Sequence, residues 1–408
     1  MAYVQFVSLI IILITLYGIA VGRIPKFRMN RASIALVGAA ALLMAGAIDS
    51  VEAYRAIDMD TIVLLFSMMI INGNLRLSGF FKILSYKIVN FARTPFQLLT
   101  LIIFSSGILS AFFLNDTIVI VYTPLVIEVV RSLKRNPIPY LIAVALSANI
   151  GSAMTIIGNP QNMIIGIASG ISFADYMVYQ IIPSASGLLV ALIILRFIYK
   201  KEFHRTVFDQ IETGEVKPYK PLLIKSSIST ILMVALFFGG MEIPIAAFAC
   251  ASLLLVTRRL KPARVFKEID WSLLVFFSAL FVVTKSIETS GLSYYLSKTI
   301  NPYLTESVLS FSLATVFLSN LISNVPAVLL LKPVIPVMPN PEQSWLILGM
   351  ASTFAGNLTL IGSVANLIVA ETAKKDNITI TFVEYLKSGI IVTVITVAIG
   401  IIWFTLIF

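Results

Sequence analysis

Two short runs of polar and helix-breaking residues recur inside apolar segments of this chain. Thr155, Ile156, Ile157, Gly158, Asn159, Pro160, Gln161 and Asn162 return as Thr359, Leu360, Ile361, Gly362, Ser363, Val364, Ala365 and Asn366. Upstream of each run lies a second echo: Asn115 stands nine residues before Pro124, and Asn324 nine before Pro333. Gly158 suits a helix C-cap, Asn159 an N-cap, and Pro160 the first helical position, where its missing N–H costs nothing. Gly362 and Ser363 fill the first two roles in the second run. Asn115 or Asp116, and Ser323 or Asn324 with Pro326 close behind, are N-cap candidates at two further breaks. Four half-helices would then begin in mid-membrane. Their free N–H groups and positive dipole ends favour an anion or an electron-rich oxygen. The opposing half-helices end in free carbonyls, which suit a cation such as sodium. Oxygens of Thr117, Thr155, Ser323 and Thr359 are placed to complete such a site. Matched interruptions in two halves mark a secondary transporter built from repeats.

Asp116 is the one acidic residue at these breaks. A carboxylate at that depth costs about 2.5–3.5 kcal/mol on insertion scales unless it is paired or protonated. Two roles stand for it: carrier of a coupling proton or cation, and plain N-cap of the helix that follows. Its counterpart in the second half is Val325, so either role is one-sided. Lys332 follows the second tip by eight residues, about 12 Å along a helix. It either neutralises an anionic substrate or, as is commoner, snorkels to the surface. Arg76, Glu128 and Glu371 fall near helix ends, where solvated or paired roles suffice.

Other chemistries are poorly supplied. The single cysteine, Cys250, lies in an apolar stretch, and the single histidine, His204, in a charged central loop. That excludes a disulfide framework, a thiolate metal site and a histidine relay in the membrane. No phosphate-binding glycine motif and no nucleophile–base set appear, so no enzyme activity and no cofactor are expected. Transport energy would come from an ion or substrate gradient, with sodium or a proton as the coupling ion.

The elements that position these residues follow from composition. Of the 408 residues, 58% are hydrophobic and 12% charged, which puts the chain outside the soluble class. Stretches of about 20 apolar residues span a bilayer. Such spans are expected at 3–22, 32–48, 61–75, 176–199, 222–240, 243–256, 271–287 and 388–408. Broken segments are expected at 98–130, 139–169, 308–335 and 344–373. The first stretch has no basic region ahead of it and reads as a retained helix rather than a signal peptide.

Segment 98–130 decides the topology. Lys82, Lys87 and Arg93 precede it; Arg131, Lys134 and Arg135 follow it. Basic residues collect on the cytoplasmic side, so the segment enters, turns at Asn115 and Asp116, and leaves by the same face. Such a re-entrant hairpin is tolerated only where protein or a water-filled cavity covers its backbone. With it, all but Arg55, Lys285, Lys298 and Lys332 of the 30 Lys and Arg residues fall on one side. The net charge of +10 therefore reads as orientation and not as nucleic-acid binding. Both chain termini are expected outside.

Further echoes support a duplication: Asp58 with Asp270, Ser78-Gly79 with Ser290-Gly291, and Phe173 to Tyr176 with Phe382 to Tyr385. The expected architecture is an all-α polytopic membrane protein of two inverted-topology repeats, 1–199 and 222–408, joined by a cytoplasmic link at 200–221. Each repeat holds five crossings, one hairpin and an unwound helix. An odd number of crossings turns the second repeat upside down.

At these motifs the chain resembles the ion transporter superfamily, which holds arsenite permeases, type D sodium/proton antiporters and divalent anion:sodium symporters. Residues 147–173, Asn115-Asp116 and Asn324-Val325-Pro326 look most like inner-membrane members related to the arsenite permeases. Dicarboxylate symporters carry Ser-Asn-Thr at both hairpin tips; Leu114-Asn115-Asp116 and Ser323-Asn324-Val325 lack that threonine. The resemblance implies one half-site at Asn115 and residues 155–159, and another at Asn324 and residues 359–363. It also implies a scaffold domain, a transport domain that moves as an elevator, and a homodimer built on the early helices of each half.

The expected function is ion-coupled transport of a small anion or a metalloid oxyanion such as arsenite across the cytoplasmic membrane by alternating access. Asn115, Asp116, Thr117, Asn159, Asn162, Ser323, Asn324, Ser363 and Asn366 are the expected substrate contacts. Asn115, Asp116, Thr155, Gly158, Asn324, Thr359 and Gly362 are the expected cation contacts. A sodium/proton antiporter using Asp116 is the alternative, and a passive channel the further rival.

Overall fold

The computed structural model describes residues 2–22, 27–204, 207–208, 218–257, 260–291 and 307–408. Lys298 and half of the link at 200–221 lie outside the described residues. Among the described residues the structure is helical throughout and contains no strand. In chain order the helices are α1 (Ala2–Val21), α2 (Arg31–Met44), α3 (Ser50–Ala56), α4 (Met59–Ser78) and α5 (Phe80–Val89). There follow α6 (Pro95–Phe112), α7 (Asn115–Ser132), α8 (Ile138–Ser152), α9 (Pro160–Ser169) and α10 (Phe173–Ile198). The second half carries α11 (Lys220–Phe238), α12 (Ile243–Leu255), α13 (Pro262–Phe266) and α14 (Trp271–Thr289). It continues with α15 (Val308–Ile322), α16 (Asn324–Leu331), a 3-10 turn (Lys332–Val337), α17 (Pro341–Ala355), α18 (Val364–Lys375) and α19 (Phe382–Ile407).

Matched residues start and stop matched helices. Asp58 caps α4 by accepting from the Thr61 N–H at 3.1 Å, and Asp270 caps α14 by accepting from Leu273 at 3.0 Å. Gly79 ends α4 and Gly291 follows α14 with φ of 84° and 76°, a left-handed turn that glycine adopts without strain. Ser172 caps α10 and Thr381 caps α19, each with an acidic residue three positions on. Loss of one cap has a modest expected effect: Asp58→Ala lowers stability by about 1 kcal/mol. A thermal melt of the purified protein checks it, and an unchanged melting temperature would remove the cap from the account.

Seven described helices are long and apolar enough to cross a membrane. Only a third of the apolar window in α10, α11 and α19 is buried. Their outer faces leave Leu189, Phe197 and Ile231 exposed, as lipid requires and water would not.

Helices α1–α4 and α11–α14 pack chiefly among themselves, and so do α6–α10 with α15–α19. In the first group the packing is exchanged: α2 lies on α14 while α12 lies on α4. In the second, α6 lies on α8 and α15 on α17. The α6–α8 contact is backbone on backbone, because a Cβ on Gly151 would sit 2.0 Å from the Gly107 carbonyl oxygen. Small residues permit this approach in lipid, where helix association relies on close packing and hydrogen bonds. Between the groups lie fewer contacts, among them α4 with α9, α1 with α15 and α14 with α16.

Candidate functional site

Both unwound segments exist, and they are built alike. Helix α8 ends at Ser152 and α9 starts at Pro160, with Asn159 as N-cap accepting from the Asn162 N–H at 2.9 Å. Helix α17 ends at Ala355 and α18 starts at Val364, with Ser363 as N-cap accepting from the Ala365 N–H at 3.2 Å. The carbonyls freed at each break are met from within. The Asn162 amide donates to the Ser152 and Thr155 carbonyls at 3.0 and 3.1 Å. The Asn366 amide donates to the Gly356 and Thr359 carbonyls at 2.7 and 3.1 Å. Thr155 donates its hydroxyl to the Ala111 carbonyl, and Thr359 donates to the Asn320 side chain at 3.4 Å.

The glycines do something other than cap. Ala153 and Gly356 are the C-cap residues, not Gly158 and Gly362. Gly158 is needed for space: a Cβ there would lie 2.3 Å from the Ser152 carbonyl oxygen and 2.8 Å from that of Ser110. Gly362 is less crowded, its nearest neighbour being the Asn320 side-chain oxygen at 3.0 Å.

The tips also depart from the expected capping. Leu114 and Ser323 hold the N-cap positions, and neither makes a side-chain cap. The Asn115 N–H donates instead to the Gly158 carbonyl at 3.0 Å, which sets the first tip at the level of the first break. The Asn115 side-chain oxygen accepts from the Asp116 N–H at 2.9 Å. At the second tip Ser323 has φ 80° and ψ 157°, a region nearly restricted to glycine, and such strain costs about 1–3 kcal/mol. Asn324 accepts from the Ser319 hydroxyl at 2.7 Å.

Two residues that spacing alone did not single out tie the breaks together. Asn149 on α8 donates to the side-chain oxygens of Asn357 and Asn366 at 3.1 and 2.9 Å. It accepts from Asn115 at 3.3 Å and from the Ser363 hydroxyl at 3.0 Å. Thr353 on α17 does the converse, accepting from Asn159 at 3.2 Å and donating to Asn162 at 3.3 Å. Residues 149, 159 and 162 and residues 353, 363 and 366 are separated by the same 204 positions. Each break is thus held by the other half of the chain.

Around this frame lies a cavity of about 470 Å3. Asn115 and Asp116 from the first tip line it, with Ser323 and Asn324 from the second. Pro160 and Gln161 at the start of α9 and Ser363 at the start of α18 also face it. Arg31, Asp270 and Glu371 supply its remaining charges. Arg31 makes no ion pair among the described residues. A second cavity of about 160 Å3 is lined by Asp116, Thr117, Asp270 and Asn72. Thr155, Gly158, Asn159, Asn162, Thr359, Gly362 and Asn366 line neither; they build the wall behind. Lys332 lines neither cavity and sits where α16 gives way to the 3-10 turn. Arg76 pairs with Glu268, and Glu128 accepts from the Tyr86 hydroxyl at 2.5 Å.

Comparison with known proteins gives this architecture a lineage. Residues 9–355 match the model of the citrate transporter (CitMHS) family. The chain belongs to the CitMHS family. It is therefore a multi-pass membrane transporter and not an enzyme. A silicon efflux transporter of Oryza sativa subsp. japonica is 28% identical, over 93% of this chain and 93% of its own length. A putative transporter, arsB, of Dictyostelium discoideum is 26% identical, over 91% of this chain and 87% of its own. Among solved structures, the Alcanivorax borkumensis YdaH transporter superposes with a TM-score of 0.63 at 14% identity, covering 99% of this chain and 97% of that one. That likeness shows a shared fold.

Proposed function

We propose that the chain is an ion-coupled secondary transporter of a small metalloid oxyacid such as arsenite. The observation that carries this is the composition of the larger cavity, where both tips and both interior helix starts meet. Amides and hydroxyls supply most of its polar groups. One guanidinium, Arg31, faces three carboxylates, Asp116, Asp270 and Glu371. A multiply charged carboxylate anion would meet net repulsion there. A small polyhydroxylated acid, little ionised at neutral pH, instead donates hydrogen bonds to the carboxylates and accepts them from Asn115, Asn324 and Arg31. The names of the rice and Dictyostelium relatives support this class; the family's description supports citrate as the competitor.

In this reading the two halves are inverted repeats, and the pairs α6–α7 and α15–α16 are re-entrant hairpins. Helices α6–α10 and α15–α19 form the transport domain that slides on a scaffold of α1–α4 and α11–α14. The cavity is lined by the end of α1 and the starts of α2 and α14, beside the basic clusters assigned to the cytoplasm. The conformation is then inward-open, in the inner membrane, with both termini outside and a homodimer formed through the scaffold.

Uptake by proteoliposomes tests the proposal, with arsenite and citrate supplied under separate sodium and proton gradients. Arsenite moves and is driven uphill; Asn115→Ala and Asn324→Ala each reduce the rate at least tenfold. Citrate flux without arsenite flux would overturn the substrate, and normal flux in both variants would overturn the site. The antiporter alternative keeps one favourable observation, that Asp116 lines both cavities. Asp116→Asn separates the two: proton exchange lost, with arsenite binding intact, favours the antiporter.

A further inference from the structure

The smaller cavity holds an unused buried amide. Asn72 on α4 is 3% exposed, and neither its oxygen nor its nitrogen makes a hydrogen bond among the described residues. A buried amide left without partners is unfavourable, and this one faces the carboxylates of Asp116 and Asp270 across the same small space. The other charges there, Arg76 and Glu268, pair with each other and cancel. On their other side, in the larger cavity, Arg31 is one cation against three carboxylates, so Asp116 and Asp270 keep an excess of negative charge and repel. The donor set of carboxylate, amide and hydroxyl oxygens, the last from Thr117, suits a hard cation.

We propose that Asn72, Asp116 and Asp270, with Thr117, bind a sodium ion in this cavity, and that this is the coupling ion of the transport reaction proposed above, on which the coupling role rests. The site differs from the carbonyl sites expected at the breaks, where the Ser152, Thr155, Gly356 and Thr359 carbonyls already accept from Asn162 and Asn366. Its placement gives the ion a task. Asn72 and Asp270 belong to one packing group; Asp116 and Thr117 stand at the tip of α7 in the other. The ion is chelated only while the two groups are in register. Without it, the two carboxylates push the tip away from α14. Occupancy is thereby linked to the sliding step.

Binding of radioactive sodium to the full-length protein in detergent, at constant ionic strength, tests the site. The wild type binds sodium saturably and in preference to potassium. Asn72→Leu and Asp270→Asn each weaken that binding at least tenfold. Asn72→Leu also melts no lower than the wild type in sodium-free buffer, because it removes an unsatisfied amide; a merely structural asparagine would melt lower. Asn324→Ala, which touches only the larger cavity, keeps sodium affinity within twofold of the wild type while arsenite flux falls. Wild-type sodium affinity in both Asn72→Leu and Asp270→Asn would overturn the site, as would equal affinity for potassium or no sodium binding at all. Loss of sodium binding in Asn324→Ala alone would move the ion to the breaks and leave the transporter reading standing. Absence of arsenite flux with intact sodium binding would sink the substrate and spare the ion site.

Discussion

Asn149→Ala is expected to abolish transport and to destabilise the protein more than any single change at the tips. Asn149 donates to Asn357 and Asn366 and accepts from Asn115 and Ser363. These partners come from the first tip, the second unwound segment and the start of α18. Alanine leaves the Asn357 and Asn366 oxygens and the Asn115 amide without their bonds to it. Each buried group orphaned in this way costs about 1–3 kcal/mol. The Ser363 hydroxyl is less affected, since it still accepts from the Ala365 N–H. Thermal melting and arsenite flux measured on the same preparation check the effect. Asn149→Asp keeps the acceptor but replaces the donor by a second acceptor facing Asn357 and Asn366, so it is expected to fail as well. Full flux in Asn149→Ala would mean that the two breaks are positioned independently, against the exchanged contacts seen here. The converse contact is weaker, as Thr353 makes no more than hydroxyl bonds of 3.2 to 3.3 Å. Thr353→Val is accordingly the milder of the two.

Much of this frame is legible in the chain, and the parts that are not fail for identifiable reasons. Gly-Asn-Pro in an apolar run can hardly continue a helix, so the break before Pro160 and its cap at Asn159 follow from local chemistry. Ser363 follows from its position in the repeated run. The capping expected at Asn115 and Asp116 does not occur, because the tip amide finds a partner 43 residues away at Gly158. Local rules for helix ends contain no such partner. Asn149 and Thr353 occupy unremarkable positions inside helices, and their role is set by residues about 200 positions distant. Arg31 was hidden by company: it closes a basic cluster that topology alone explains, yet its side chain reaches the cavity. Asn72 sits in an apolar span with neither a break nor a repeat to mark it. Lys332 stands out in the sequence as a charge near the second tip, but the 3-10 turn begins there and it faces neither cavity. Chemistry set by local backbone was readable; chemistry set by packing between halves was not.

Gly158→Ala carries the second large expected effect, and it separates crowding from backbone preference. Gly158 lacks the positive φ that usually calls for glycine. Its added methyl would meet the Ser152 carbonyl oxygen at 2.3 Å and the Ser110 carbonyl oxygen at 2.8 Å. Both obstacles are backbone, so no side chain can swing aside. Overpacking costs about 1–3 kcal/mol where neighbours can adjust and more where they cannot. The displacement also travels, since the Gly158 carbonyl holds the Asn115 N–H. Moving it shifts the first tip and the cavity lining with it, and arsenite flux is expected to fall by at least a hundredfold. Gly362→Ala meets the Asn320 side-chain oxygen at 3.0 Å and the Gly356 and Thr359 carbonyl oxygens at 3.1 and 3.2 Å, a tight fit and not an overlap, and is expected to lose less. Gly170→Ala supplies the opposite control. Gly170 has φ 67° with open space around it, so alanine there costs about 1–2 kcal/mol of local strain and leaves flux intact. If Gly158→Ala behaves like Gly170→Ala, the first unwound segment has room to move, and the tip is not held by it.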